Sequence, residues 1–235
     1  AVDDVILGAT EELGASAGTT QDKLVRDTLA AGTSVQYCDK VNAAGTHTAV
    51  DSRAGMDTTS KLTPTEINKA VTTLKKLKAP KINGKYVAII HPSVTYDLRE
   101  NKDWIEAHKY ADVTPLFNGE IGELHGVRFI ETTEAKIWNN NTCPVKTAAG
   151  SGGTPAATYY SVYSTLFLGK DAFGMIDPEG GGLEMIVKSK EQAGGPLNQF
   201  STLGYKFSTA AKILYQDRMV RVESLSEYSG TDEAN

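Results

Sequence analysis

Asp171, Asp177 and Glu179 put three carboxylates within nine residues, beside the run Gly180-Gly181-Gly182. Paired carboxylates can carry acid–base catalysis or hold calcium. The alternating ligands of an EF-hand loop are absent, so a bound cation is the weaker reading. The four histidines are His47, His91, His108 and His125, and none has a second His, Cys or Glu at zinc-ligand spacing. His91 precedes Pro92 at a strand end, a place that suits a structural corner. An enzyme of unrecognised type would draw on Asp171, Asp177 and His91.

Other motifs fall short of a site. Gly150-Ser151-Gly152-Gly153 lacks the Gly-Lys-Ser/Thr ending of a phosphate loop, and no helical pattern follows it. Gly119, Gly122 and Gly126 read as turn and bulge positions. Lys69, Lys75, Lys76, Lys78, Lys81 and Lys85 form a basic cluster without interleaved aromatics, so a solvated face outweighs a nucleic-acid contact. Tyr159, Tyr160 and Tyr163 suit strand packing better than a sugar platform. Asn140-Asn141-Thr142 fits a glycosylation pattern without any sign of secretion. The residues alone therefore name no catalytic, cofactor-binding or metal site.

The totals agree with a structural role. At 235 residues with 40% hydrophobic and 23% charged side chains, the chain has material for a packed core. Its formal net charge of -5 is opposite to that of a dedicated nucleic-acid binder. No apolar run approaches the roughly 18 residues that span a membrane. Cys38 and Cys143 stand alone, which fits a reducing, intracellular compartment. The chain opens at Ala1 in mid-pattern without an initiator Met, and we read a processed or truncated product.

The elements follow from periodicity. Ile6, Leu13, Ala17, Leu24 and Thr28 mark one helical stripe over residues 2–30, as one long helix or two shorter ones, because Gly8, Gly14 and Gly18 each cost about 1 kcal/mol against Ala. Gly32 is placed as its C-terminal cap. Residues 38–62 read as a loop or loose β-excursion. Thr63-Pro64-Thr65-Glu66 is a capping box with Pro at the first helical position, and Ile67, Ala70, Val71, Leu74 and Leu77 build one apolar face up to Pro80. Asn83-Gly84 turns the chain into a strand at 86–90. Pro92 opens a helix to about Glu100, and a second short one is expected over 103–110, anchored by Trp104 and Ile105. Further strands are expected at 127–130, 159–168 and 183–188, with two antiparallel strands between Thr202 and Ser224. Residues 147–155 read as a flexible loop, and Glu227 to Asn235 as a frayed end. Mixed elements without a βαβ repeat make the class α+β.

Several long blocks, in order, carry a resemblance. They are TTQDKLVRDTLAAGTSVQY (19–37), TPTEINKAVTTLKKLKAPKINGKYVAIIHPSVTYDLR (63–99), FNGEIGELHGVRFIETTEAKI (117–137), FLGKDAFGMID (167–177) with GGGLEMIVK (180–188), and GGPLNQFSTLGYKFSTAAKIL (194–214) with MVRVES (219–224). The chain resembles the tailed-bacteriophage major capsid proteins typified by coliphage "N-four", with the Hong-Kong-97-type capsid fold. That resemblance implies a long spine helix at about 3–31 and a helix at about 64–78. It implies a peripheral domain from residues 1–84 and 183–235 and an axial domain from 85–182, built on a mixed or antiparallel sheet with flanking helices.

The implied function is that of a structural subunit of an icosahedral virion, assembling through pentamers and hexamers around double-stranded DNA, without enzyme activity or cofactor. Scaffold or portal proteins are implied partners, with weak non-specific DNA contact and no membrane. The implied places are the virion and, during assembly, the host bacterial cytoplasm. A cellular nanocompartment shell of the same fold is the alternative. The N-terminal arm and extended loop of such proteins have no counterpart here, so this chain alone is expected to stay monomeric or weakly associated. Residues 139–158 read as a local insertion.

Overall fold

The computed structural model of the chain describes residues 2–102, 104, 120–147, 158–176, 178, 181–189, 192, 197 and 200–235. Contacts divide the chain into two compact units, Ala1–Thr28 with Phe173–Lys212, and Leu29–Ala172 with Ile213–Asn235.

The first unit contains most of helix α1 (Val2–Ala30), a single 29-residue element despite its three glycines. A Cβ added at Gly8, Gly14 or Gly18 would meet nothing within 4 Å, so no contact among the described residues requires a glycine there. The expected stripe is only partly covered: Ala17 is buried, but Leu24 is 51% exposed. Two ribbons complete the unit. Strands β11 (Phe173–Ile176) and β14 (Ala210–Ile213) pair, and β12 (Glu184–Lys188) pairs antiparallel with β13 (Thr202–Lys206). The Tyr205 hydroxyl meets Thr20 Oγ1 of α1 at 3.3 Å.

The second unit is built on a seven-stranded mixed sheet. Its strands are β1 (Val35–Tyr37), β4 (Tyr86–Ile90), β5 (Glu120–Leu124), β6 (Val127–Glu131), β7 (Ile137–Trp138), β10 (Val162–Leu168) and β15 (Met219–Ser224). The order is β1-β15-β10-β4-β6-β5, with β7 also pairing β10. β4 runs parallel to β6 and β1 parallel to β15, while the β10 pairings are antiparallel. This one sheet draws strands from both sides of residues 84/85 and 182/183. Small hairpins β2 (Lys40–Val41) with β3 (His47–Thr48), and β8 (Val145–Thr147) with β9 (Thr158–Tyr159), lie outside it.

Local chemistry explains the positions of these elements. Helix α2 (Pro64–Lys76) starts where Thr63 Oγ1 accepts the Glu66 N–H, and Pro64 occupies the first turn. Its Ile67, Ala70, Val71 and Leu74 are fully buried, whereas Leu77, expected on the same face, is 43% exposed. Asn83-Gly84 and His125-Gly126 have positive φ at both residues, the requirement of a two-residue type I′ hairpin turn. Gly122 lies at the β5–β6 register shift, as a bulge glycine should. Tyr86, Phe129, Tyr163, Phe167 and Val222 join the α2 face in one core. Trp104 meets Phe129 edge-on, at 5.7 Å between ring centroids.

Two sequence expectations are corrected. Residues 202–224 hold three strands, and none pairs with another: β13 joins β12, β14 joins β11, and β15 lies between β1 and β10. The terminal segment is pinned and not frayed. Leu225 N–H donates to Ser60, Ser226 Oγ to the Ser93 carbonyl, and Glu227 N–H to the Asp97 carboxylate. The expected helix over 103–110 lies outside the described residues apart from Trp104. The 147–155 loop lies outside them apart from Thr147.

Candidate functional site

Strand β4 delivers the chain to His91, and Pro92 opens helix α3 (Pro92–Glu100). His91 is the helix cap: its Nδ1 accepts the Ser93 N–H at 3.2 Å. Its ring lies 5.0 Å from that of Tyr163. The carboxylate of Asp232 arrives on the terminal segment and accepts Tyr163 OH at 2.6 Å, Ser93 Oγ at 3.4 Å and the Ser229 hydroxyl. The residue types of a Ser-His-Asp triad thus meet, but in an inert arrangement. Nucleophilic catalysis requires the serine Oγ to face the imidazole. Here Ser93 Oγ faces the carboxylate, and His91 Nδ1 is occupied by a backbone N–H. Burial lowers the His91 pKa and raises that of Tyr163. Burial alone would raise Asp232, but hydrogen bonds from Ser229 and Tyr163 outweigh it and hold its carboxyl below the usual range. The cluster anchors the terminal segment to the sheet. No sequence signal could have found it, because Asp232 is 139 residues from Ser93.

Asp171 lies elsewhere. It is exposed, has a φ of 59°, and faces Arg218 at 3.4 Å. It follows the Leu168 end of β10, whereas His91 stacks near Tyr163 at the start of that strand. At about 3.3 Å per residue, five steps put these ends about 17 Å apart. Asp177 and Glu179 lie outside the described residues. The enzyme reading of His91 with Asp171 therefore fails on geometry.

A cluster that sequence spacing missed joins Asp39, His47 and Glu66, whose ligand atoms all lie within 4.8 Å of one another. The Lys69 ammonium already bonds both carboxylates, reaching Glu66 at 2.8 Å, and Gln36 Nε2 donates to Glu66 at 2.9 Å. Burial would lower the Lys69 pKa, but these bonds raise it. The internal cation does the neutralising, and the knot ties the β2–β3 hairpin to α2.

A second ionic knot crosses the sheet. Glu223 is fully buried and accepts Arg53 at 2.6 and 2.7 Å and Arg221 at 2.9 Å. The two guanidinium groups lie 3.9 and 5.2 Å from the Trp138 ring centroid. Arg221 also donates to the carbonyls of Ala30 and Gly32, at the end of α1. Arg53 grips Glu223 through two nitrogens while stacking on Trp138, which suits the planar guanidinium fork, and Arg221 divides its bonds between Glu223 and the two carbonyls.

Two clefts complete the picture. One, of about 750 Å³ in the second unit, is lined by Thr59, Lys61, Thr63, Lys146, Tyr160 and Glu227. Another, of about 350 Å³ in the first unit, lies between Gly14, Ala17 and Gly18 of α1 and Met175, Ile176 and Phe207. Neither includes His91 or Asp171.

Comparison with known proteins gives a consistent answer. The family described as "Phage capsid protein" matches residues 7–196. No curated protein matches the sequence. Among solved structures, the capsid of Ralstonia phage GP4 is similar at a TM-score of 0.62 and 15% identity, over 95% of this chain and 68% of that one. The capsid of Helicobacter pylori bacteriophage KHP30 is similar at 0.62 and 10% identity, over 94% and 69%. The capsid of cyanophage P-SCSP1u is similar at 0.54 and 14% identity, over 94% and 68%. At these identities the likeness is one of fold, and it is the Hong-Kong-97-type capsid fold.

Proposed function

The chain belongs to the phage capsid protein family and is a capsid shell subunit, and on that premise we propose how it serves the shell. The observation that carries the proposal is an uneven distribution of apolar side chains. In the first unit, Ala17 is the only buried hydrophobic residue among those described, while Met175, Ile176, Leu183, Val187, Leu197 and Phe200 are 48–72% exposed. Exposed apolar side chains without a buried core beneath them suit an interaction site. We assign it to neighbouring copies of the chain.

The mechanism is assembly and not turnover. Modest contacts repeated by symmetry sum to a stable shell without any one being tight. The subunits form pentamers and hexamers in a closed icosahedral particle around double-stranded DNA. The net charge of -5 keeps contact with packaged DNA weak and non-specific. Scaffold and portal proteins are the expected assembly partners, and the host cytoplasm the place of assembly. Within the family we assign the coliphage "N-four"-like branch, on the ordered blocks of sequence quoted above.

The peripheral and axial division also remains a proposal, with its boundaries moved to the compact units. The unit of α1 and the two ribbons is taken as peripheral, and the unit of the seven-stranded sheet as axial. In that division α1 (Val2–Ala30) is taken as the spine helix.

Electron microscopy of the full gene product tests the reading. Closed icosahedral particles built from this chain are expected. A product that remains monomeric at high concentration would contradict it.

A further inference from the structure

Helix α2 and the turn after it end in a patch of like charge. Lys75 and Lys76 lie in the last turn of α2, and Lys78 and Lys81 follow it. Lys170 joins them because its N–H donates to the Pro80 carbonyl at 2.9 Å. All five are exposed, and none forms an ion pair among the described residues. Their neighbours differ: Lys69 is held by Asp39 and Glu66, and Lys85 by Glu123.

The opposite charge lies on α1. From Ala1 to Asp22 the sequence has five carboxylates, at Asp3, Asp4, Glu11, Glu12 and Asp22, and no Lys or Arg. Glu11, Glu12 and Asp22 are exposed and also form no ion pair among the described residues.

The helix macrodipole explains part of this pattern, since it favours acids in a first turn and bases in a last turn. It accounts for Asp3, Asp4, Lys75 and Lys76. It does not reach Glu11, Glu12 and Asp22, which lie well inside α1, or Lys78, Lys81 and Lys170, which lie beyond α2. The two sets are opposite in sign, and neither finds a counter-charge among the described residues of a lone subunit.

We propose that in the shell the basic end of α2 on one copy docks against the acidic stretch of α1 on a second copy. The proposal rests on the shell-subunit reading and deepens it by naming a contact. A nucleic acid fits less well. The chain is acidic overall, and the aromatic ring beneath Lys81, that of Tyr86, is buried and gives bases no stacking surface. The contact also gives direction, because steering by complementary patches selects partners and orientation more than it adds affinity.

The test reverses the charges in the full gene product and counts particles. One variant is K75E/K76E/K78E and a second is E11K/E12K. Each alone should lower particle yield about tenfold or more, because like charges then face each other across the contact. Combining both sets in one chain should restore the yield. Raising salt to about 0.5 M should weaken assembly of the parent, as the screening length shrinks toward a few ångströms. Unchanged melting temperatures show that the fold is intact. If reversal at the lysines prevents folding, K75Q/K76Q/K78Q provides the same test by neutralisation. Variants that assemble like the parent would overturn the proposal, and so would a combined chain that is not rescued. Loss of binding to a short DNA duplex with normal assembly would overturn it too and assign the patch to nucleic acid. In each of those cases the parent still forms particles, and the shell reading stands. A parent that forms none overturns the shell reading as well.

Discussion

The two compact units solve opposite problems. Around the seven-stranded sheet, Tyr86, Phe129, Tyr163 and Phe167 interlock, β10 is buried along its whole length, and charged groups that enter the interior arrive with partners. In the unit of α1 and the ribbons, Met175, Ile176, Leu183, Val187, Leu197 and Phe200 are exposed, and the helix carries glycines that no contact among the described residues requires. A long helix and two-stranded ribbons bury little on their own, since an isolated hairpin is marginally stable in water. The difference separates two tasks. One unit holds its own fold. The other leaves apolar side chains exposed, and the proposed contacts between copies would cover them.

The comparison would break first in the core. Phe167→Ala removes a fully buried ring and should cost about 3–5 kcal/mol, and Leu74→Ala on α2 about 2–5 kcal/mol, read as denaturant midpoints of the free subunit. Glu223→Gln should cost about 3–5 kcal/mol, because Arg53 and Arg221 would lose the charge they share. A change below about 1 kcal/mol in any of these would mean that the sheet unit is not the source of stability.

The terminal segment sharpens the boundary of that unit. Asp232→Asn should cost about 1–2 kcal/mol by weakening the bonds from Tyr163, Ser93 and Ser229. Its folded pKa is lowered, so the stability it adds is complete above the unfolded value near 3.8 and is lost as pH falls through the folded value. The gap in melting temperature between parent and variant should hold from neutral pH to about 5 and close below about 4. A gap independent of pH would remove the carboxylate from the account.

The smallest effect belongs to the first unit. Ile176→Ser and Leu183→Ser should change the stability of the free subunit by about 0.5 kcal/mol or less, since both side chains are already in water. The same changes should reduce particle yield. A loss above about 1 kcal/mol in the free subunit would reveal a core that this unit otherwise lacks.

Elements with local causes were legible in the sequence. Thr63, Pro64 and Glu66 start α2 within four residues, and the Asn83-Gly84 and His125-Gly126 turns need only their own backbone freedom. Periodicity also found the faces of α1 and α2, but Leu24 and Leu77 show its limit: it says that a face exists and not that anything covers it. What was illegible is non-local. The terminal segment looked frayed because its anchors, Ser93, Ser161 and Tyr163, lie 66 or more residues away in sequence. Residues 202–224 read as two strands paired with each other because they are neighbours in sequence, while the three strands there find their partners in β12, in β11, and in β1 and β10. The candidate chemistry failed for the same reason. His91 and Asp171 were both visible, and only the fold could place them at opposite ends of β10.

Hydrogen exchange on the free subunit and on assembled particles tests the central claim most directly. Amides of the β12–β13 ribbon should exchange quickly in the free subunit and slow by about tenfold or more on assembly, while those of β10 stay protected in both. Ribbon amides that exchange equally in both states would contradict the claim that neighbouring copies cover this unit.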